Sequence, residues 1–165
     1  MLSRRLILLG GTAAIAFVGI NRVLGQRPTA MASGTFEVTH TDAEWRELLS
    51  REQYDVLRQE GTERPYTSAL NHEKRPGTFA CAGCNLPLFS SETKFDSHTG
   101  WPSFWQPLAN AVGTRKDGSF GMTRTEIHCR RCGGHLGHVF DDGPKPTGLR
   151  YCMNGVAMTF TAAAA

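Results

Sequence analysis

Two repeats of one spacing, Cys81-Ala-Gly-Cys84 and Cys129-Arg-Arg-Cys132, constrain what this chain can fold into more than any other feature. Each pair offers two thiols across one tight turn. Together they supply the four thiolates that a closed, tetrahedral structural zinc site takes. Gly83 and the pair Gly133-Gly134 beside them let the backbone turn tightly. The 44 positions from 85 to 128 exceed the spacing of a compact zinc ribbon, so the site has to join two distant parts of one domain. Metal binding then contributes directly to folding free energy. Two disulfides are the alternative and are open to an exported protein, but bridges between cysteines so close in sequence are strained. One structural Zn²⁺ per chain, held by Cys81, Cys84, Cys129 and Cys132, is the expected cofactor.

Five cysteines less four ligands leaves Cys152. A free cysteine often serves as a small buried filler. In Arg150-Tyr151-Cys152-Met153-Asn154, strand alternation puts Arg150, Cys152 and Asn154 on one face, which is poor company for a filler. Arg150 favours the thiolate electrostatically, and a lowered thiol pKa is what makes a cysteine nucleophilic near neutral pH. Asn154 is placed to orient a polar substrate or a water.

The amino terminus bounds the compartment. Ser3-Arg4-Arg5 runs into an apolar stretch from Leu6 to Ile20, with no acidic residue before Glu37. That is the layout of an export signal, and it is shorter than the roughly 20 apolar residues of a comfortable membrane span. Cleavage is expected after Ala32, in preference to the Val23-Leu24-Gly25 end. Export to the periplasm, without stable membrane insertion afterwards, is the reading preferred to a retained anchor. The string SRRLIL resembles a twin-arginine signal, departing from it at Leu9, and an ordinary export signal remains open. Removing residues 1 to 32 takes away four arginines, so the net charge of +3 falls to −1, with 14 basic residues against 15 acidic ones. Nothing basic enough remains to track phosphates, and nucleic acid is not an expected partner. Residues 33 to 165 suffice for one ordinary domain, expected to be a monomer.

Along that domain, Thr41 with Glu44 and Ser50 with Gln53 read as two capping boxes, each opening a short helix. Trp45, Leu48 and Leu49 supply the apolar face of the first helix, Tyr54 and Leu57 that of the second, and Gly61 stands where a carboxyl-terminal cap is expected. From Gly77 onward the texture is β-prone runs split by turn residues: Thr78 to Cys81, Met122 to His128, His138 to Phe140 and Leu149 to Phe160. In the second run Thr123, Thr125 and Ile127 face one way and Met122, Arg124, Glu126 and His128 the other. The fold class is mainly β (α+β), with the helices as packing elements. The tail from Thr161 to Ala165 has nothing to bury and is expected to fray.

The strings EWRELL, GTERPYT, CAGC, KFDSHTGWPSF, EIHCRRCGGHLGHVFDDGPKPTG and RYCMNG, in that order over nearly all of residues 40 to 160, resemble the B-type methionine sulfoxide reductases. That resemblance implies two small antiparallel sheets arranged like a tent, with short helices outside. It implies that Cys152 attacks a methionine R-sulfoxide in an oxidised protein and is left as a sulfenic acid. Trp101 then meets the substrate methyl group, and His135 and His138 are the active-site histidines. By spacing alone HxxH could also be a metal pair, and Trp101 a core residue. A histidine titrating near neutrality can protonate the sulfoxide oxygen. Asp142 either orients one of those rings or, as preferred, caps the turn at Asp141-Asp142-Gly143-Pro144. Where many relatives carry a cysteine just before Gly-Trp-Pro-Ser-Phe, this chain has Thr99. The recycling partner is therefore expected to be an external thiol, either a thioredoxin-like protein or a small thiol. Two other classes remain: a zinc-clamped binding module, and a general thiol or peroxide reductase.

Overall fold

Both capping boxes form. In the computed structural model, which describes residues 36 to 164, Thr41 and Ser50 each accept a hydrogen bond from the backbone three residues on, and Glu44 and Gln53 reach back. They open α1 (Asp42–Leu48) and α2 (Arg51–Gln59). The apolar face of α1 is narrower than expected, with Trp45 and Leu49 buried but Leu48, its last residue, exposed; in α2 Tyr54 and Leu57 are buried as expected, together with Val56. At the end of α2 the left-handed residue is Glu60 (φ 58°), not Gly61. Gly61 follows it and donates to the Asp55 carbonyl at 2.9 Å; a β-carbon there would lie 2.8 Å from that oxygen. Glycine is thus required by close approach rather than by a positive φ. The export segment, 1 to 32, lies outside the described residues, and among those described no helix is long and apolar enough to cross a membrane.

Nine strands follow: β1 (Gly77–Cys81), β2 (Pro87–Ser90), β3 (Lys94–Phe95), β4 (Ser103–Phe104), β5 (Val112–Asp117), β6 (Arg124–Cys129), β7 (His135–Phe140), β8 (Arg150–Met153) and β9 (Met158–Ala162). They make two antiparallel sheets, of order β2-β1-β9 and β3-β4-β8-β7-β6-β5. The run from Leu149 to Phe160, expected as one unit, breaks at a single 3₁₀ turn, Gly155–Ala157, and sends β8 and β9 to different sheets. The tail does not fray at Thr161. Thr161 and Ala162 pair with Thr78 and Gly77, and Ala163 donates to Pro76, because the backbone of β1 offers free partners there.

Phe79 and Phe89 from the smaller sheet meet Phe104 from the larger, with ring centroids 5.0 and 4.3 Å apart, and all three are fully buried. Burial of a side chain of this size is worth about 1.5–3 kcal/mol. In the larger sheet, opposed residues of neighbouring strands share a face. One row, Ile127, Gly137 and Met153, is turned to the core. The row beside it, on the other face, reads Arg115, Glu126, His138, Cys152 and Ser103 across five strands. Pleating alone therefore gathers charge, imidazole, thiol and hydroxyl into one line.

Candidate active site

The four paired cysteines and Cys152 occupy different places in this frame. Cys81 ends β1 and Cys129 ends β6, so the knuckles connect the two sheets. They are built alike. Asn85 and Gly133, each just past the second cysteine, take left-handed backbone (φ 58° and 69°) and donate to the first cysteine's carbonyl at 2.8 and 2.9 Å. Gly83, expected to make the first turn, has no positive φ; the left-handed residue at that knuckle is Asn85. The four sulfurs lie within 4.8 Å of one another, with Cys81 and Cys132 at 3.7 Å and Cys84 and Cys129 at 3.5 Å. Those separations are too long for a disulfide and match the edges of a tetrahedron with metal–sulfur bonds of about 2.3 Å. All five cysteines are free. Arg58 donates to the Cys132 carbonyl and Arg131 to that of Cys84, at 3.0 and 3.2 Å, which fixes the knuckles from outside. Four thiols so placed are able to hold a metal ion.

Cys152 lies in a pocket of about 160 Å³ with Thr62, Trp101, Arg124, His138, Phe140 and Asn154. His138 faces it across the β7–β8 register. On the other side Thr99 Oγ1 is 3.9 Å from Cys152 Sγ and is held by Ser97, which in turn bonds Ser103. Burial pushes the Cys152 thiol above its ordinary value, while the Thr99 hydroxyl, Arg150 and the Ser103 hydroxyl pull it down without overcoming burial. Arg150 does act in the direction read from sequence, but the net shift is upward. Arg150 is itself clamped by both oxygens of Asp142, each at 2.8 Å, and lies over the Phe140 ring. Asp142 therefore orients a guanidinium; it neither touches a histidine nor serves chiefly as a turn cap.

Trp101 Nε1 donates to the Glu63 carbonyl at 3.1 Å, fixing the indole at the pocket wall. Both ends of the Asn154 amide are engaged by backbone: Glu63 N–H donates to Oδ1, and Nδ2 donates to the Leu136 carbonyl. Asn154 thus ties the 62–64 segment to β7. The Glu63 carboxylate accepts from Gly155 and Val156 N–H at 2.6 and 2.9 Å; burial raises its pKa and those donors oppose the rise. His135 is one step removed from the thiol. It lines a neighbouring polar cleft of about 320 Å³, and its ring centroid is 5.4 Å from that of His138.

Sequence reading missed the partners of both histidines. His138 Nε2 meets Asp117 at 2.7 Å and His135 Nδ1 meets Glu126 at 2.7 Å, with Arg124 and Arg115 completing the two chains. Burial pushes the Glu126 carboxyl up, but His135 and Arg115 outweigh it and hold it below the ordinary range. Burial lowers His138, and Asp117 opposes this only in part. The outward alternation of Arg124 and Glu126 was readable in β6. Their partners were not, because register between strands leaves no mark on a single strand.

Two sheets joined by four thiols able to hold a metal, and carrying a thiol pocket lined by imidazole and indole, define a small β enzyme of thiol chemistry. Residues 49–162 match the SelR domain family. The peptide methionine sulfoxide reductase MsrB of Leptospira interrogans is 54% identical over 126 residues, covering 76% of this chain and 96% of that protein. Its namesakes from Agrobacterium fabrum (54% over 125 residues, 75% and 93%) and Methanosarcina barkeri (52% over 124 residues, 74% and 87%) are similar to the same extent. The chain belongs to the MsrB family of peptide methionine sulfoxide reductases.

Proposed function

We propose that this chain reduces peptide-bound methionine R-sulfoxide in exported proteins, with Cys152 as nucleophile. The observation that carries the reading is a free thiol, register-paired with His138 and facing Trp101, in a pocket that holds no second thiol. Sγ attacks the sulfoxide sulfur and the S–O bond breaks. Methionine leaves reduced by two electrons, and the oxygen, with the thiol's proton, ends on Cys152 as sulfenic acid. His138 manages the proton, and the Trp101 face packs against the methyl group. Arg150 stabilises negative charge on sulfur, Asn154 holds the wall, and His135 supports His138 from behind. An external thiol, from a thioredoxin-like protein or a small molecule, then attacks the sulfenic sulfur. Water leaves and a mixed disulfide remains, which a second thiol reduces.

Cys81, Cys84, Cys129 and Cys132 would hold structural Zn²⁺, which when bound cross-links the two sheets and takes no part in the reaction. The leader ahead of residue 33, with Arg4 and Arg5 before its apolar stretch, supports export to the periplasm, with a twin-arginine route favoured. The test offers the purified domain blocked methionine R- and S-sulfoxides beside Cys152→Ser. Turnover of the R form only, lost in the variant, supports the proposal. Equal turnover of both forms, or turnover of peroxide alone, overturns it.

A further inference from the structure

We infer that Asp117 is a positioning residue that fixes the tautomer of His138, leaving Nδ1 as the nitrogen that exchanges a proton in the Cys152 pocket. The inference rests on the sulfoxide-reductase reading and deepens it. Ser119 N–H donates to Asp117 Oδ1 at 2.8 Å, and Arg124 Nη2 donates to Oδ2 at 2.7 Å while also holding the Ser119 hydroxyl at 3.0 Å. His138 Nε2 approaches the same Oδ2 at 2.7 Å.

The Ser119 N–H, assisted by its hydroxyl, His138 and Arg124, keeps the Asp117 carboxyl well below the usual carboxylate range. An ionised carboxylate only accepts. Its contact with Nε2 is then a hydrogen bond in one direction, from imidazole to carboxylate, and the neutral ring's single proton sits on Nε2. Nδ1 is left with a lone pair, able to take a proton from the Cys152 thiol and deliver it to the sulfoxide oxygen.

The location of Asp117 fits that division. It lines the polar cleft with His138, whereas Cys152 lines the smaller pocket, and His138 borders both. The charged and titratable groups facing His138 are Asp117 from β5, Arg124 and Glu126 from β6, His135 from its own strand and Cys152 from β8. Arg115, Lys116 and Glu60 line the same cleft. Arg124 and His135 oppose the imidazolium and Asp117 favours it, so Asp117 is the group whose loss pushes His138 further toward neutrality.

Three measurements on the zinc-loaded protein test this. Nitrogen NMR of histidine-labelled enzyme should show His138 with Nε2 protonated and Nδ1 bare near neutral pH; the reverse assignment overturns the proposal, whatever the variants do. In Asp117→Asn an amide can donate to Nε2 and install the wrong tautomer. The expected result is a loss in kcat on the order of 10²-fold, with KM little changed and the acid limb of the pH profile moved down. Asp117→Glu should recover part of the loss. If Asp117→Asn keeps the wild-type kcat and pH profile, or if kcat falls only in proportion to folded protein, the role is structural and the inference fails. The NMR assignment needs no sulfoxide turnover. A bare Nδ1 in an enzyme that reduces no sulfoxide would therefore sink the proposed function and leave the tautomer assignment standing.

Discussion

Cys152 is a thiol whose reactivity has to be released by its neighbours, and their contributions can be separated. Thr99 is the first of the groups that lower its pKa against burial. Thr99→Val keeps the shape and removes that hydroxyl, so the thiol should rise further; alkylation at a fixed pH near 8 should slow several-fold, with its midpoint displaced upward. An unchanged alkylation profile would remove the hydroxyl from the account. The pH dependence of kcat/KM follows from the same pair. His138 is held below its ordinary value and Cys152 above its own, so activity should fall on the acid side as His138 takes up a proton and change again only on the alkaline side as Cys152 loses one, with a broad plateau between. On the proposed mechanism, Thr99 in place of a second thiol also decides recycling. One equivalent of substrate should add a single oxygen or, with thiol present, a mixed disulfide; an internal disulfide in zinc-loaded protein would contradict that outcome in a mass spectrum. Cys152 stood out in sequence as the cysteine left over, and Trp101, His135 and His138 through the family resemblance; the fold puts Cys152, Trp101 and His138 on one pocket and His135 on the cleft beside it. Asp117 and Asp142 look alike in sequence, and only the fold reveals that the former meets a histidine and the latter an arginine.

At the scale of elements, the row Arg115, Glu126, His138, Cys152 and Ser103 exists because five strands hold one register. Gly137 is the point where that register is most exposed to change. A β-carbon there would overlap the Cys152 carbonyl and crowd Met153, so β7 and β8 reach their spacing only with glycine between Leu136 and His138. Gly137→Ala should cost about 1–3 kcal/mol by overpacking and should lower kcat more than an equally destabilising core change elsewhere, because it moves His138 against Cys152. Paired thermal melts and kinetics would check this; loss of stability with kcat intact contradicts it. Glu126→Gln tests the neighbouring strand. Glu126 is 3% exposed and bound to His135 and Arg115, so breaking that set should cost about 3 kcal/mol, read from denaturant unfolding. Helix starts were legible to the residue, since a capping box is local chemistry. The short strands β2, β3 and β4 were not, for two to four residues carry no period, and the division of the run from Leu149 to Phe160 between two sheets depends on a 3₁₀ turn that composition does not announce.

For the whole molecule, the two sheets are joined in two ways, by the buried phenylalanines at their interface and by the four thiols at the ends of β1 and β6. The two joints differ in kind. Aromatic burial persists in any folded chain, whereas thiol ligation requires deprotonated sulfur and a metal, and so is sensitive to pH and to chelators. Cys81, Cys129 and Cys132 are buried and Cys84 is partly exposed, so a chelator or acid should reach the cluster from the Cys84 side first. Purified protein is expected to carry one zinc per chain by elemental analysis. Stripping it, or replacing Cys84 with Ser, should lower the melting temperature by well over 10 °C, given the usual conversion of about 2–4 °C per kcal/mol for larger domains and up to 8 °C for small ones. Turnover should be lost only as the sheets separate, since the cluster and Cys152 line different parts of the fold. Stripped protein assayed below its new melting temperature is the discriminating measurement. If it stays folded by circular dichroism yet loses all turnover at once, the metal is coupled to the chemistry and the clamp reading is wrong; if activity follows the folded fraction, the four thiols hold the scaffold and the Cys152 pocket carries the reaction without them.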